Sequence, residues 1–314
     1  MQSTVSSIII HFNNVEFTRN VVRQLSGFTG PSSHEIIVVD NASEPPLAAD
    51  AVPGARIVRI GENRGYGHAC NRGADLASGS HLFILNNDLD FPENPLPSLL
   101  AAFDSREEGG RGRIGAVGPA LQFEDGRPQR SWSNFPTLFA EFMERRRQEQ
   151  SRDTSAIAAA GGAVTPSPYD RHVDWITGAC MLVARDAWET VRGFDEAYFF
   201  YFEDVDLCTR LRRAGFATVF VPRTSVVHFG GGSDPLANPR IVLSYRQAQL
   251  RYYARYNSAM MFILLKLYLR RKFRRLARSG EITPELGAQV LETIRTFSRR
   301  DERRQFQEAE RVHS

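Results

Sequence analysis

The chain has 314 residues, 42% hydrophobic and 24% charged, with a formal net charge of +3. It is long enough for one large domain or for a domain with an appendage, and its composition is that of a soluble globular protein. Cys70, Cys180 and Cys208 lie far apart without a CxxC spacing, which excludes a zinc site or a disulfide framework and suits a reducing compartment. The N-terminus lacks the basic region and long apolar stretch of a signal peptide, so a cytoplasmic location is expected. The apolar run from Ala259 to Leu265, continued to Leu269, falls well short of the roughly 20 residues that span a bilayer.

In chain order, "VSSIIIHF" (Val5–Phe12) reads as a strand, followed by a helix over about Glu16–Gly27. A second strand, Glu35–Val39, stops at Asp40, and "ARIVRI" (Ala55–Ile60) is a third. "GYGHACNRGADLAS" predicts a helix and "SHLFILNNDLD" a fourth strand with a polar end. Apolar strands alternating with helices predict an α/β fold, a mostly parallel sheet covered on both faces. Each strand ends on polar residues: Asn13, Asp40, Asn63 soon after the third, and Asn86 to Asp90. Ligands bind at that edge of open α/β sheets, so one shared ligand site explains the pattern economically.

"IGAVGPALQF" adds a further strand, while residues 144–172, rich in charge, small residues and proline, read as a mobile segment or lid. "VDWITGACMLVARDAWETVRGFDE" gives strand, helix and a Gly-led turn. "YFFYFEDVDLC" (Tyr198–Cys208) then delivers three acids behind five aromatics, either a plain helix start or a base beside an aromatic wall. "ATVFVP" and "SVVHF" are strands, and everything from Arg240 onward predicts helix.

Seven stretches in order carry a resemblance: "SIIIHFNN", "IIVVDNAS", "ENRGYGHACNRG", "LFILNNDLD", "WITGACMLVARDAWETVRGFDE", "FFYFEDVDLCTRLRRAG" and "VVHFGGGS". Over about residues 5–256 the chain resembles family 2 glycosyltransferases of the GT-A fold, especially their rhamnosyltransferase branch. The resemblance implies a catalytic domain over 1–239, with a nucleotide-sugar half to about 125 and an acceptor half from about 126. A helical extension follows over 240–314. It also implies inverting transfer of a sugar from a nucleotide-diphosphate donor, with Mg²⁺ or Mn²⁺ on the diphosphate. The expected donor is dTDP-L-rhamnose, with UDP-hexoses and UDP-galactofuranose as alternatives. The acceptor would be a glycan or polyprenyl-linked glycan of cell-wall, O-antigen or capsule synthesis.

Carried onto this sequence, Asp40 would accept the imide N–H of uracil or thymine, with Asn41 supporting the turn; the alternative is an Asx-turn. Asn13, Asn63, Asn71 and Asn87 become donor contacts, Arg64 a phosphate contact, and Gly65 a point of close backbone approach. Asp88 matches the last acid of a DxD-type metal motif, with Asp90 and His228 as further ligands. Asp204 matches the catalytic base, Glu203 would orient the acceptor, and Asp206 is a support or simply a helix residue. Trp175, Thr177, Gly178 and Asp195 fall on the acceptor side.

Two readings of other classes compete. A non-catalytic sugar-nucleotide-binding or scaffold protein would treat "NND" as a degraded metal site. A nicotinamide-dependent oxidoreductase would need GxGxxG after the first strand, where this chain has "HFNNVEF". In the tail, Tyr253, Met260, Ile263, Leu264 and Leu267 precede "RRKFRRLAR", six cations in nine residues. That pattern suits core packing, a homo-oligomer contact or an anionic membrane surface, and no nucleic-acid-binding module accompanies it.

Overall fold

The computed structural model describes residues 4–29, 33–104, 112–138, 169–230 and 238–311. Most of the expected mobile segment, together with Gly231 and Gly232, lies outside the described residues.

Thr4–His11 (β1), Ser33–Asn41 (β2) and Arg56–Ile60 (β3) run parallel, and His81–Asn86 (β4) pairs parallel on the other side of β1. Their uninterrupted apolar cores, such as Ile8, Ile9 and Ile37 to Val39, are buried because helices cover both sheet faces. The stretch read as one strand from Ser80 to Asp90 is broken. β4 ends at Asn86, and Leu89–Asp90 (β5) turns away to pair antiparallel with the end of Phe216–His228 (β12).

Arg113–Gln122 (β6) carries the short strand Pro128–Gln129 (β7). Trp132–Ser133 (β8) pairs with Trp175–Ile176 (β10), and Arg171–Val173 (β9) pairs with β12. Cys180–Ala184 (β11) runs antiparallel to β4 and β6, giving the order β3-β2-β1-β4-β11-β6-β12-β5. "ATVFVP" and "SVVHF", read as separate strands, form the single strand β12. Its register shifts between Val221 and Ser225, around Pro222, which has no N–H for the ladder.

Val15–Ser26 (α1) is capped by the Asn14 side chain, which accepts from the Phe17 N–H. Tyr66–Leu76 (α2) starts on Gly65, whose φ of 106° suits glycine. Leu96–Asp104 (α3), Arg185–Val191 (α4) and Glu203–Arg213 (α5) complete the layers around the sheet. Two compact units result. The first holds the sheet and α1 to α5. The second holds Tyr198–Phe202 and the helices Pro239–Tyr256 (α6), Ala259–Ser279 (α7), Pro284–Thr296 (α8) and Arg299–Arg311 (α9).

The aromatics read as a wall before Glu203 therefore belong to the helical unit. Phe202 packs 5.3 Å from the Tyr245 ring and 5.6 Å from Tyr252. Arg251 and Arg255 lie over buried Tyr198, and both donate to the buried Glu302 of α9. Among the described residues, no helix is long and apolar enough to cross a membrane.

Candidate active site

Strand register gathers the polar ends on one sheet edge. His11 stands opposite Asp40, Ile10 opposite Asn86, and His228 opposite Leu89. Because β11 runs backwards, its first residues also reach this edge, and Asn86 N–H donates to the Ala179 carbonyl at 2.9 Å.

The break between β4 and β5 projects Asp88 beside His228. Asp88 Oδ1 lies 3.3 Å from His228 Nε2, and Asn86 Nδ2 lies 3.2 Å from the same nitrogen. Gln129 fixes the imidazole. Its Nε2 donates to the Gly230 carbonyl at 2.8 Å, so its Oε1, 2.5 Å from His228 Nδ1, faces the ring as an acceptor. That assigns a proton to Nδ1 and sets Nε2 toward Asp88, as a donor to the carboxylate when it is protonated and as a lone-pair ligand when it is not. Burial pushes the Asp88 carboxyl up, but hydrogen bonding and charge from His228 outweigh it and hold it below the ordinary range.

A Cβ at Gly230 would stand 2.5 Å from Asp88 Oδ2, so this glycine keeps the space beside the carboxylate open. A carboxylate oxygen and an imidazole lone pair meeting there fit a divalent cation. Among the described residues, no cluster of three or more His, Cys, Asp and Glu completes a metal shell. Asp88 and His228 thus supply two protein ligands for such a cation. Asp90 is differently engaged, its Oδ1 accepting from Asn20 and Gln24 of α1.

Asp204, at the start of α5, is half-buried. Its Oδ2 accepts from the Gly178 N–H at 3.0 Å and its Oδ1 from the Val205 N–H. The Gly178 carbonyl accepts in turn from the Tyr66 hydroxyl at 2.8 Å. Desolvation raises the Asp204 pKa against these hydrogen bonds, leaving a carboxylate more basic than usual. Glu203 is only 6% exposed, and its buried Oε2 has no hydrogen-bond partner among the described residues. Burial first, and the Asp204 charge second, push it well above the ordinary range. A group so enclosed does not present a charged carboxylate to an acceptor, which departs from the orienting role expected for it. Asp206 is fully buried and bonded to Arg210 at 2.7 Å, a structural pair.

At the end of β2, Asp40 is an Asx-turn anchor. It is 1% exposed; Oδ1 accepts from the Ser43 N–H, and Oδ2 from the Leu47 N–H and Arg59. Burial pushes its carboxyl up, but hydrogen bonds from Ser43 and Leu47 and the charge of His11 outweigh it and hold it low. The free acceptor at this turn is the neighbour: Asn41 Nδ2 donates to Asn63 Oδ1, while buried Asn41 Oδ1 has no partner among the described residues. Asn63 also accepts from the Gly65 N–H, closing the turn before α2.

Other expected contacts are committed elsewhere. Asn13 Oδ1 accepts from the Glu44 N–H, and Asn87 donates to the Asn14 carbonyl and Thr18. Asn71 clamps the Phe194 backbone from both sides and donates to Glu196. Arg64 lies 3.6 Å from the same Glu196. Thr177 N–H donates to the Ser131 carbonyl, Trp175 Nε1 to the Asn134 carbonyl, and Asp195 caps the Ala197 N–H. Gln129, Tyr66 and Glu196 escaped sequence reading. Only the family-like "ENRGYGHACNRG" and "GFDE" stretches hinted at the last two.

A mixed, mostly parallel sheet flanked by helices, with these groups along one edge, is the GT-A architecture. The family model described as Glycosyl transferase family 2 matches residues 6–163, and the chain belongs to that family. It is 32% identical over 221 residues to the N-acetylglucosaminyl-diphospho-decaprenol L-rhamnosyltransferase of Mycobacterium tuberculosis, covering 65% of this chain and 70% of that one. Rhamnosyltransferase WbbL of Escherichia coli is 36% identical over 86 residues, 27% of this chain and 33% of WbbL. In fold, GalNAc-T7, solved with UDP, GalNAc and Mn²⁺, superposes with a TM-score of 0.53 at 14% identity. The match covers 87% of this chain and about half, 51%, of that one.

Proposed function

We propose that the chain is an inverting glycosyltransferase that moves L-rhamnose from dTDP-L-rhamnose to a hydroxyl of a lipid-linked glycan acceptor, at the inner face of the cell membrane. The observation that carries the chemistry is Asp204 held by the Gly178 N–H, with Ala179 bonded to Asn86 on the strand leading to Asp88. This joins a basic carboxylate to the Asp88–His228 pair through one short backbone path. The choice of sugar and acceptor rests on the name of the mycobacterial relative.

Asp204 takes the proton as the acceptor oxygen bonds to the anomeric carbon, and the bond to the diphosphate oxygen breaks on the opposite face with its electron pair. Burial of Glu203 favours its protonated form, which lessens the charge beside Asp204. Asp88 and His228 would hold Mg²⁺ or Mn²⁺, which when bound neutralises charge on the departing diphosphate. Asp40 and Asn41 build the turn at which the pyrimidine would bind.

The test incubates the protein with dTDP-L-rhamnose, UDP-hexoses and UDP-galactofuranose, with and without Mn²⁺, and a prenyl-diphosphate-linked N-acetylglucosamine acceptor. Metal-dependent rhamnosylation is expected. Transfer from a UDP-sugar alone would reassign the donor. Metal-dependent donor binding without turnover on any acceptor would favour the non-catalytic reading.

A further inference from the structure

Helix α7 has two faces with different fates. Phe262, Leu265, Leu269, Phe273 and Leu276 are buried within the helical unit, so its core-packing requirement is met. On the outer side, Met260, Ile263, Leu264 and Leu267 are 65, 56, 44 and 54% exposed. Half of the exposed large hydrophobics among the described residues thus lie within two turns of one helix. The spacing of three, four and seven residues puts them in a single stripe. At about 100° per residue, Arg271, Arg274, Arg275 and Arg278 continue the same line, and all four are exposed. The result is a straight strip of about 30 Å, apolar in its first half and cationic in its second. No Asp or Glu occurs between Ala259 and Ser279.

We infer that this strip of α7 is a docking surface for an anionic phospholipid bilayer, with the helix lying in the interface plane. Aliphatic side chains would enter the acyl boundary while the arginines meet phosphate headgroups. Charge decides against the other occupants. Pairing this strip with a second copy in parallel would set four arginines against four arginines, with no acid on the helix to neutralise them. Antiparallel pairing along the whole strip would cover each apolar half with the other copy's arginines, and pairing of the apolar halves alone would leave the arginines without a counter-charge from the partner helix. A nucleic acid would engage the arginines and leave the aliphatic half in water.

The inference rests on the membrane placement in the proposed function, but vesicle binding needs neither donor nor acceptor, so its failure is distinguishable from failure of the reaction. The test sediments the full chain with phosphatidylcholine vesicles with or without phosphatidylglycerol, at low and high salt. Binding is expected only with the anionic lipid and should weaken with salt. Leu264→Asp, or Leu264→Ser should the former fail to fold, is expected to abolish sedimentation while keeping the parent's thermal melt. Joint Arg271→Gln, Arg274→Gln and Arg275→Gln should weaken binding roughly 100-fold, about fivefold per arginine. Absence of binding to anionic vesicles, or variants that bind like the parent, overturns the proposal. So does a solution dimer, seen by light scattering, that Leu264→Asp dissociates.

Discussion

Asp204, Glu203 and Gln129 make separable demands on experiment. Asp204→Asn keeps the size and much of the hydrogen bonding of the side chain but cannot take a proton. Transfer should fall by about 10²- to 10⁴-fold with donor affinity kept, measured by initial rates and by donor titration. Glu203 binds its proton more tightly folded than unfolded. Its contribution to stability is therefore greatest at low pH and is lost as pH rises above the ordinary carboxylate range toward the raised folded value. Glu203→Gln removes that dependence, so thermal denaturation should show the variant gaining on the parent between pH 4 and pH 8. Gln129 holds the tautomer of His228 without reaching the reacting atoms. Gln129→Leu should weaken Mn²⁺ binding in the presence of donor by about tenfold or more, read by the paramagnetic resonance of free Mn²⁺.

At the level of elements, close approach of α2 to the sheet depends on Gly73. A Cβ there would stand 2.3 Å from Ile8 Cγ2 and 3.1 Å from Val39 Cγ2, both in the packed core. Gly73→Ala should cost about 1–3 kcal/mol through overpacking, measured by urea unfolding. The strands around Ile8 and Ile37 were legible because burial on both faces leaves an unbroken apolar run. The β4–β5 break was not, since the pairing that pulls Leu89 and Asp90 away is supplied by a strand far along the chain. Asp40 illustrates the limit at the site. Its position at a strand end was readable, but Arg59 and the Leu47 N–H that consume its oxygens are set by tertiary geometry. Gln129 lay on a two-residue strand with no periodicity to announce it.

Across the whole molecule, the described residues divide into two compact units, each with its own buried polar and charged groups. In the helical unit, buried Glu302 accepts from Arg251 and Arg255, and Arg255 also covers the Tyr198 and Phe306 rings. Glu302→Ala removes a buried carboxylate from beside Arg251 and Arg255 and should destabilise that unit by about 3 kcal/mol. Hydrogen exchange should then accelerate in residues 239–311 while the central strands keep their protection.

The reversed strand β11 has a consequence for how such enzymes can diversify. In a wholly parallel sheet, only segments that follow strands open onto the ligand edge. Here a segment that precedes a strand does so as well, as β10 leads through Thr177 and Gly178 into β11. Substitutions between Trp175 and Ala179 would alter what stands beside Asp204 while leaving β1 to β4, and the turns they carry, untouched. The surroundings of Asp204 can thus be changed through the residues that enter β11, at no cost to the pairing of β1 to β4.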